Sequence, residues 1–117
     1  MTGTGDWMTP KARIHALLNG EAYDRIPCIP SLSDHAALVL GVTVAEYTQS
    51  ADLMIRGQIA AYRRYGHDSV GLGPGSTGIA EAAGSRVAFP EFNTPYVAEY
   101  VVKETTDLDR LGRFPIR

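Results

Sequence analysis

Several groups of residues in this 117-residue chain have types and spacings that could do chemistry. The most conspicuous is Gly71-Leu-Gly-Pro-Gly-Ser-Thr-Gly78. A glycine-rich turn after a strand can cradle a phosphate, because its amides approach closely and share a helix N-terminus. This one lacks the lysine of GxxxxGK[ST], and it does not run as GxGxxG into a long helix. A loop that lines a pocket is therefore the better reading. Ser33, Asp34 and His35 follow a short apolar run. The ends of strands are where α/β sites form, so His35 either faces a ligand or sits at a helix end. With His15 and His67 it makes no HxxxH, HExxH or His-x-Cys pair, so metal-ligand spacing is absent. Cys28 stands between Pro27 and Ile29 with no lysine or histidine beside it. It reads as a buried, inert, small apolar residue. Arg56, Arg63 and Arg64 read first as a solvated helix face, and second as an anion or partner surface.

Composition bounds what these residues can belong to. The formal charge is −2 and 44% of residues are hydrophobic, an ordinary balance for a globular domain. A nucleic-acid binder would show a basic excess. One cysteine excludes an intramolecular disulfide and a multi-cysteine zinc site. The longest apolar run, Ala36 to Leu40, is far short of the roughly 20 residues that span a bilayer. Residues 1–8 have no basic region followed by an apolar one, and they read as a flexible leader without a secretory signal. A cytoplasmic protein that binds neither nucleic acid nor membrane is the expectation.

The elements that must position the candidate residues can be read in order. Thr9 caps a helix with Pro10 at its first position, Ile14, Leu17 and Leu18 on one face, and Gly20 just past its end. Lys11 and Arg13 near the start oppose the helix dipole, so either they contact something else or the cost is simply small. Asp24 to Pro30 reads as a short strand limited by its prolines. A helix over about 33–40 stops at Gly41, and Thr43 with Glu46 forms a capping box for a short turn. Ser50 caps the longest helix, about 51–65, with Leu53, Ile55, Ile59 and Tyr62 as its approximate apolar stripe. Asp68 to Gly73 reads as a second strand, with a turn at 74–78 and one helical turn at 79–83 after it. Arg86 to Phe89 and Tyr96 to Val102 read as a hairpin, its aromatic residues Phe92, Tyr96 and Tyr100 packed together or over the sheet. A last turn covers 107–111, and a further strand is expected at Phe114 to Arg117. Strand, amphipathic crossover, strand is the unit of a parallel sheet, and such sheets need several strands with both faces covered. The pattern is that of the opening of a larger α/β fold.

The ordered series of segments resembles a known family. Met8-Thr-Pro-Lys-Ala-Arg13, Leu17-Leu-Asn-Gly20 and Asp24-Arg-Ile-Pro27 look like the opening of the uroporphyrinogen decarboxylase superfamily. Ala60 to Val70, Ala80-Glu-Ala-Ala-Gly84, Arg86-Val-Ala-Phe-Pro90 and Thr105-Thr-Asp-Leu-Asp109 fit the same register. The resemblance implies a (β/α)8 barrel, of which residues 9–117 would be the N-terminal portion carrying an inserted β-hairpin. Barrels of this kind need about 250 residues. The decarboxylases of the superfamily hold substrate carboxylates with an Arg-Gln-x-x-Arg signature. Those positions here are Leu32, Ser33 and Ala36, and a further substrate-binding aspartate falls on Gly75. The resemblance therefore points to the branch similar to cobalamin-dependent methyltransferases, which move a methyl group from a methylated corrinoid to a thiol such as coenzyme M. That branch implies zinc and a corrinoid methyl donor, with zinc ligands that nothing in this chain matches. Ser33, Asp34, His35, Ser76 and Thr77 would then be pocket-wall residues for a small molecule or a corrinoid protein. Such a portion would be inactive alone, and would self-associate or join the rest of its barrel. Two alternatives stand beside this reading: a uroporphyrinogen decarboxylase of porphyrin biosynthesis, and a small self-assembling or partner-binding α/β module.

Overall fold

The computed structural model describes residues 5–73 and 75–111. The local signals that a side chain or a glycine supplies by itself appear where the sequence puts them. Helix α1 is Pro10–Asn19: the Thr9 hydroxyl accepts the Ala12 amide, and Gly20 closes the helix at φ 70°. Helix α2 is His35–Leu40 and ends at Gly41. Helix α3 is Val44–Thr48, with both halves of the Thr43–Glu46 capping box made. Helix α4 is Ala51–Tyr65, capped by Ser50 and ended by Gly66. Helix α5 is Gly75–Ala82, so the glycine-rich segment expected to be a turn is helical from Gly75 on. Strands β1, Arg86–Ala88, and β2, Tyr96–Glu99, form the expected antiparallel hairpin, shorter than the apolar pattern implied. The register slips by one residue between Arg86 and Val87, opposite Glu99 and Val97. A 3₁₀ helix covers Thr105–Arg110.

Two expected strands do not form. Residues 24–30 and 68–73 run beside each other, but one ladder bond joins them, from the Asp68 amide to the Cys28 carbonyl at 2.7 Å. In a parallel ladder the next donor to Asp68 would be the amide of residue 30, and Pro30 has none. Cys28 is exposed rather than buried. The strand expected at Phe114 to Arg117 lies outside the described residues, as do residues 1–4 of the leader.

The core sits where α2, α3 and α4 meet. Ala36, Ala37, Val44 and Tyr47 are buried there, with Leu53 and Met54 packed against them. The face that α4 turns inward is Gly57, Gln58 and Ala61; the expected stripe residues Ile55 and Ile59 are exposed. Small residues win that face because the helices lie too close for branched ones. A Cβ on Gly57 would stand 2.7 Å from the Tyr47 ring and 3.1 Å from the Ala36 carbonyl oxygen. Helix α1 is likewise inverted: Arg13 and Ala16 are buried, while Leu18 is 78% exposed. The hairpin residues Phe92, Tyr96 and Tyr100 are all more than half exposed, so the expected aromatic packing is not made. The Cα radius of gyration is 18.6 Å, against about 13 Å for a compact domain of this length. No helix among the described residues is long and apolar enough to cross a membrane.

Candidate functional site

Two polar centres are built by segments distant in sequence. The first is an ion network that ties α1 to the two strand-like segments. Arg13, almost fully buried, donates through Nε to Asp24 at 2.5 Å and through a terminal nitrogen to Asp68. Arg25 joins Asp68 at 2.5 Å and Asp6 at 3.0 Å. The Trp7 and Met8 amides donate to Asp24, and the Cys28 amide donates to Asp68. The Arg13 hydrogen bond, opposed by burial and helped by those amides, holds the Asp24 carboxyl far below the usual carboxylate range. Burial pushes Asp68 up, but Arg25, the Cys28 amide and the Arg13 charge outweigh it, so Asp68 also sits below its ordinary value. The hydrogen bond to Asp24 holds the Arg13 guanidinium charged, and the hydrogen bond to Asp6 does the same for Arg25. Each carboxylate is engaged by cations, so this centre fixes geometry and leaves no free acid or base for chemistry. The opposed charge on the first turn of α1 was the one signal of it in the sequence.

The second centre is an open cleft of about 410 Å³. Its walls come from the segment after residue 30, from α3 and α4, from the glycine-rich segment with α5, and from the hairpin loop. Hydrogen bonds from both sides seat the hairpin loop beside it. The Thr94 hydroxyl donates to Asp34 at 2.6 Å, and the Val44 amide at the start of α3 donates to the Glu91 carbonyl at 2.9 Å. Leu32, Met54 and Phe89 give apolar wall. Asp34 and Glu81 give carboxylates, and no Lys, Arg or His lines the cleft among the described residues. Ser33 enters it from a backbone with φ 39°. A non-glycine residue in that region costs on the order of 1–2 kcal/mol, and the His35 amide donating to the Leu32 carbonyl at 2.9 Å spans the turn. The inner wall carries a buried polar pair: Gln58 Nε2 donates to the Tyr47 hydroxyl at 2.9 Å.

The structure brings Ser33, Asp34 and Thr77 to this cleft. His35 does not line it; its Nε2 lies 2.8 Å from the Tyr65 hydroxyl on α4, with the two rings 5.7 Å apart. Ser76 belongs to α5, and its side chain lies outside the described residues. Sequence reasoning missed Tyr47 and Gln58 because both look like ordinary helix residues, and nothing in their spacing announces that they meet. Of the positions that would carry the carboxylate clamp, Leu32 and Ser33 line the cleft. Ala36 is fully buried, with its carbonyl close to Gly57. Gly75 lines the cleft at the start of α5 with φ 66°. Among the described residues no group of three His, Cys, Asp or Glu could hold a metal ion.

A search of curated proteins finds no match, and neither does a search of solved structures. A family model does match: "Uroporphyrinogen decarboxylase (URO-D)" over residues 9–116. That span takes in the cleft, the ion network apart from Asp6 and the Trp7 and Met8 amides, and every element from α1 to the 3₁₀ helix, and it agrees with the ordered series of segments read from the sequence. On that match, the chain belongs to the uroporphyrinogen decarboxylase family.

Proposed function

We propose that residues 9–111 form the opening part of a (β/α)8 barrel of this family, nearer its methyltransferase-like branch than its porphyrinogen decarboxylases. The cleft carries this reading, because no Lys, Arg or His lines it among the described residues. An acidic tetrapyrrole needs paired, charge-assisted bonds to its carboxylates. Here the cleft offers Asp34 and Glu81 and no described cation. Ala36 at the position of the clamp's second arginine supports the same reading.

In this reading Ser33, Asp34 and Thr77 are one wall of a pocket that receives the methyl acceptor or donor, a small molecule or a corrinoid protein. The described residues do not fit the zinc that this branch uses to activate a thiol, because they form no ligand cluster. No bond-making step is therefore assigned to them, and their part is to shape the pocket and exclude charge. A second reading, in which the chain associates with the rest of a barrel or with its own copies, is favoured by the exposed Ile26, Ile29, Val70 and Leu72 along the two strand-like segments.

The test is a fluorescence titration of uroporphyrinogen into the protein at neutral pH. The expected outcome is no saturable binding. Saturable micromolar binding that a Ser33 or Thr77 substitution weakens would restore the decarboxylase reading.

A further inference from the structure

We infer that the Tyr47–Gln58 pair makes this cleft selective for an uncharged ligand group that both donates and accepts a hydrogen bond, an amide or a hydroxyl. The inference rests on the reading of the cleft as the ligand site and adds the chemistry of what it takes. Tyr47 and Gln58 are 3% and 7% exposed, and both line the cleft. Their mutual bond at 2.9 Å uses one donor of one partner and one acceptor of the other. With the Gln58 amide donating, the Tyr47 hydrogen, the second Gln58 N–H and the Gln58 carbonyl oxygen are left over. With the amide turned over, the Tyr47 oxygen and the Gln58 NH₂ are left instead. In both arrangements the pair keeps an acceptor as well as donors, so only a group that both donates and accepts meets it fully.

A carboxylate offers acceptors alone and would leave the acceptor of the pair facing its charge. Asp34 and Glu81, with no described cation among the lining residues, add repulsion toward any anion. An amidinium offers donors alone and would leave the donor of the pair unmet. A primary amide or an alcohol satisfies both members. The apolar walls at Leu32, Met54 and Phe89 suit a compact hydrocarbon body behind that group.

Three nearly isosteric probes separate these cases: benzamide, benzoate and benzamidine. Each is titrated into the protein while the backbone amides of Thr48, Met54, Gln58 and Thr94 are followed by NMR. The expected result is saturable binding of benzamide at those amides, about tenfold or more tighter than either charged probe. Gln58→Met should reduce that preference about five- to tenfold. Tyr47→Phe, which removes a single oxygen, provides a second variant should Gln58→Met unfold. Equal binding of benzamide and benzoate overturns the inference and leaves the family reading intact. Tightest binding by benzamidine overturns it too, because charge alone would then select the ligand. Absence of shifts at the cleft amides with all three probes overturns both the inference and the cleft as the ligand site.

Discussion

At the scale of single residues, the strongest determinant is the pairing of Arg13 and Arg25 with Asp6, Asp24 and Asp68. Neutralising one member leaves the others uncompensated in a site where Arg13, Asp24 and Asp68 are nearly water-free. Asp68→Asn should lower the melting temperature at pH 7 by roughly 10 °C, as read by circular dichroism, because both guanidiniums lose a charged partner. The pH dependence follows from the direction of the shifts. Asp24 and Asp68 are depressed in the folded state, so they contribute stability above the ordinary aspartate range, and it is lost as pH falls through that range and below. Melting temperature should therefore be flat from about pH 7 to 5 and fall steadily below about 4. The Asp68→Asn protein should show a shallower fall, and an equal slope in the two proteins would contradict the assignment. Little of this network was legible beforehand. Arg13 stood out by opposing the helix dipole, but its partners lie 11 and 55 positions away, and only the fold brings them together.

At the scale of elements, helix ends were legible and helix faces were not. The caps at Thr9, Thr43 and Ser50 and the glycines at 20, 41 and 66 act through a residue's own side chain or backbone freedom, so they can be read without knowing the fold. The inward face of α4 depends on how near α2 and α3 come, and that distance is written in Gly57 rather than in the isoleucines. Gly57→Ala should gain up to about 1 kcal/mol of helix propensity, yet cost a net of roughly 1–3 kcal/mol in urea unfolding. Tyr47 is pinned by Gln58 and the Ala36 carbonyl is backbone, so neither can move aside cheaply. Thr43→Ala removes the acceptor for the Glu46 amide and should cost about 1 kcal/mol in the same measurement. The two missing strands illustrate the converse limit. Their apolar runs are real, but Pro30 withholds the next ladder donor, and no third strand among the described residues covers Ile26, Ile29, Val70 or Leu72.

At the scale of the whole molecule, the elongated shape and the exposed apolar residues belong together. A radius of gyration of 18.6 Å leaves Leu18, Ile26, Leu38 and Ile79 each at least 65% exposed, more apolar surface than a self-contained domain shows. Sedimentation velocity of the isolated chain should show weight-average mass rising with concentration, and a sharp monomer at every concentration would count against an uncovered apolar face. The family was legible in the order of short segments spread along nearly the whole chain, although no one of them is distinctive. The cleft was legible only in outline, at Ser33, Asp34 and Thr77, because its inner pair is made by tertiary contact. The barrel proposed for this family member needs more chain than these residues supply. The measurement that bears on it most directly is the intact mass of the protein as its native source makes it. If the proposal holds, the mass is near three times 12.7 kDa, that of a full barrel around the cleft. A mass of 12.7 kDa would contradict it and leave a small module that covers its apolar face by assembly.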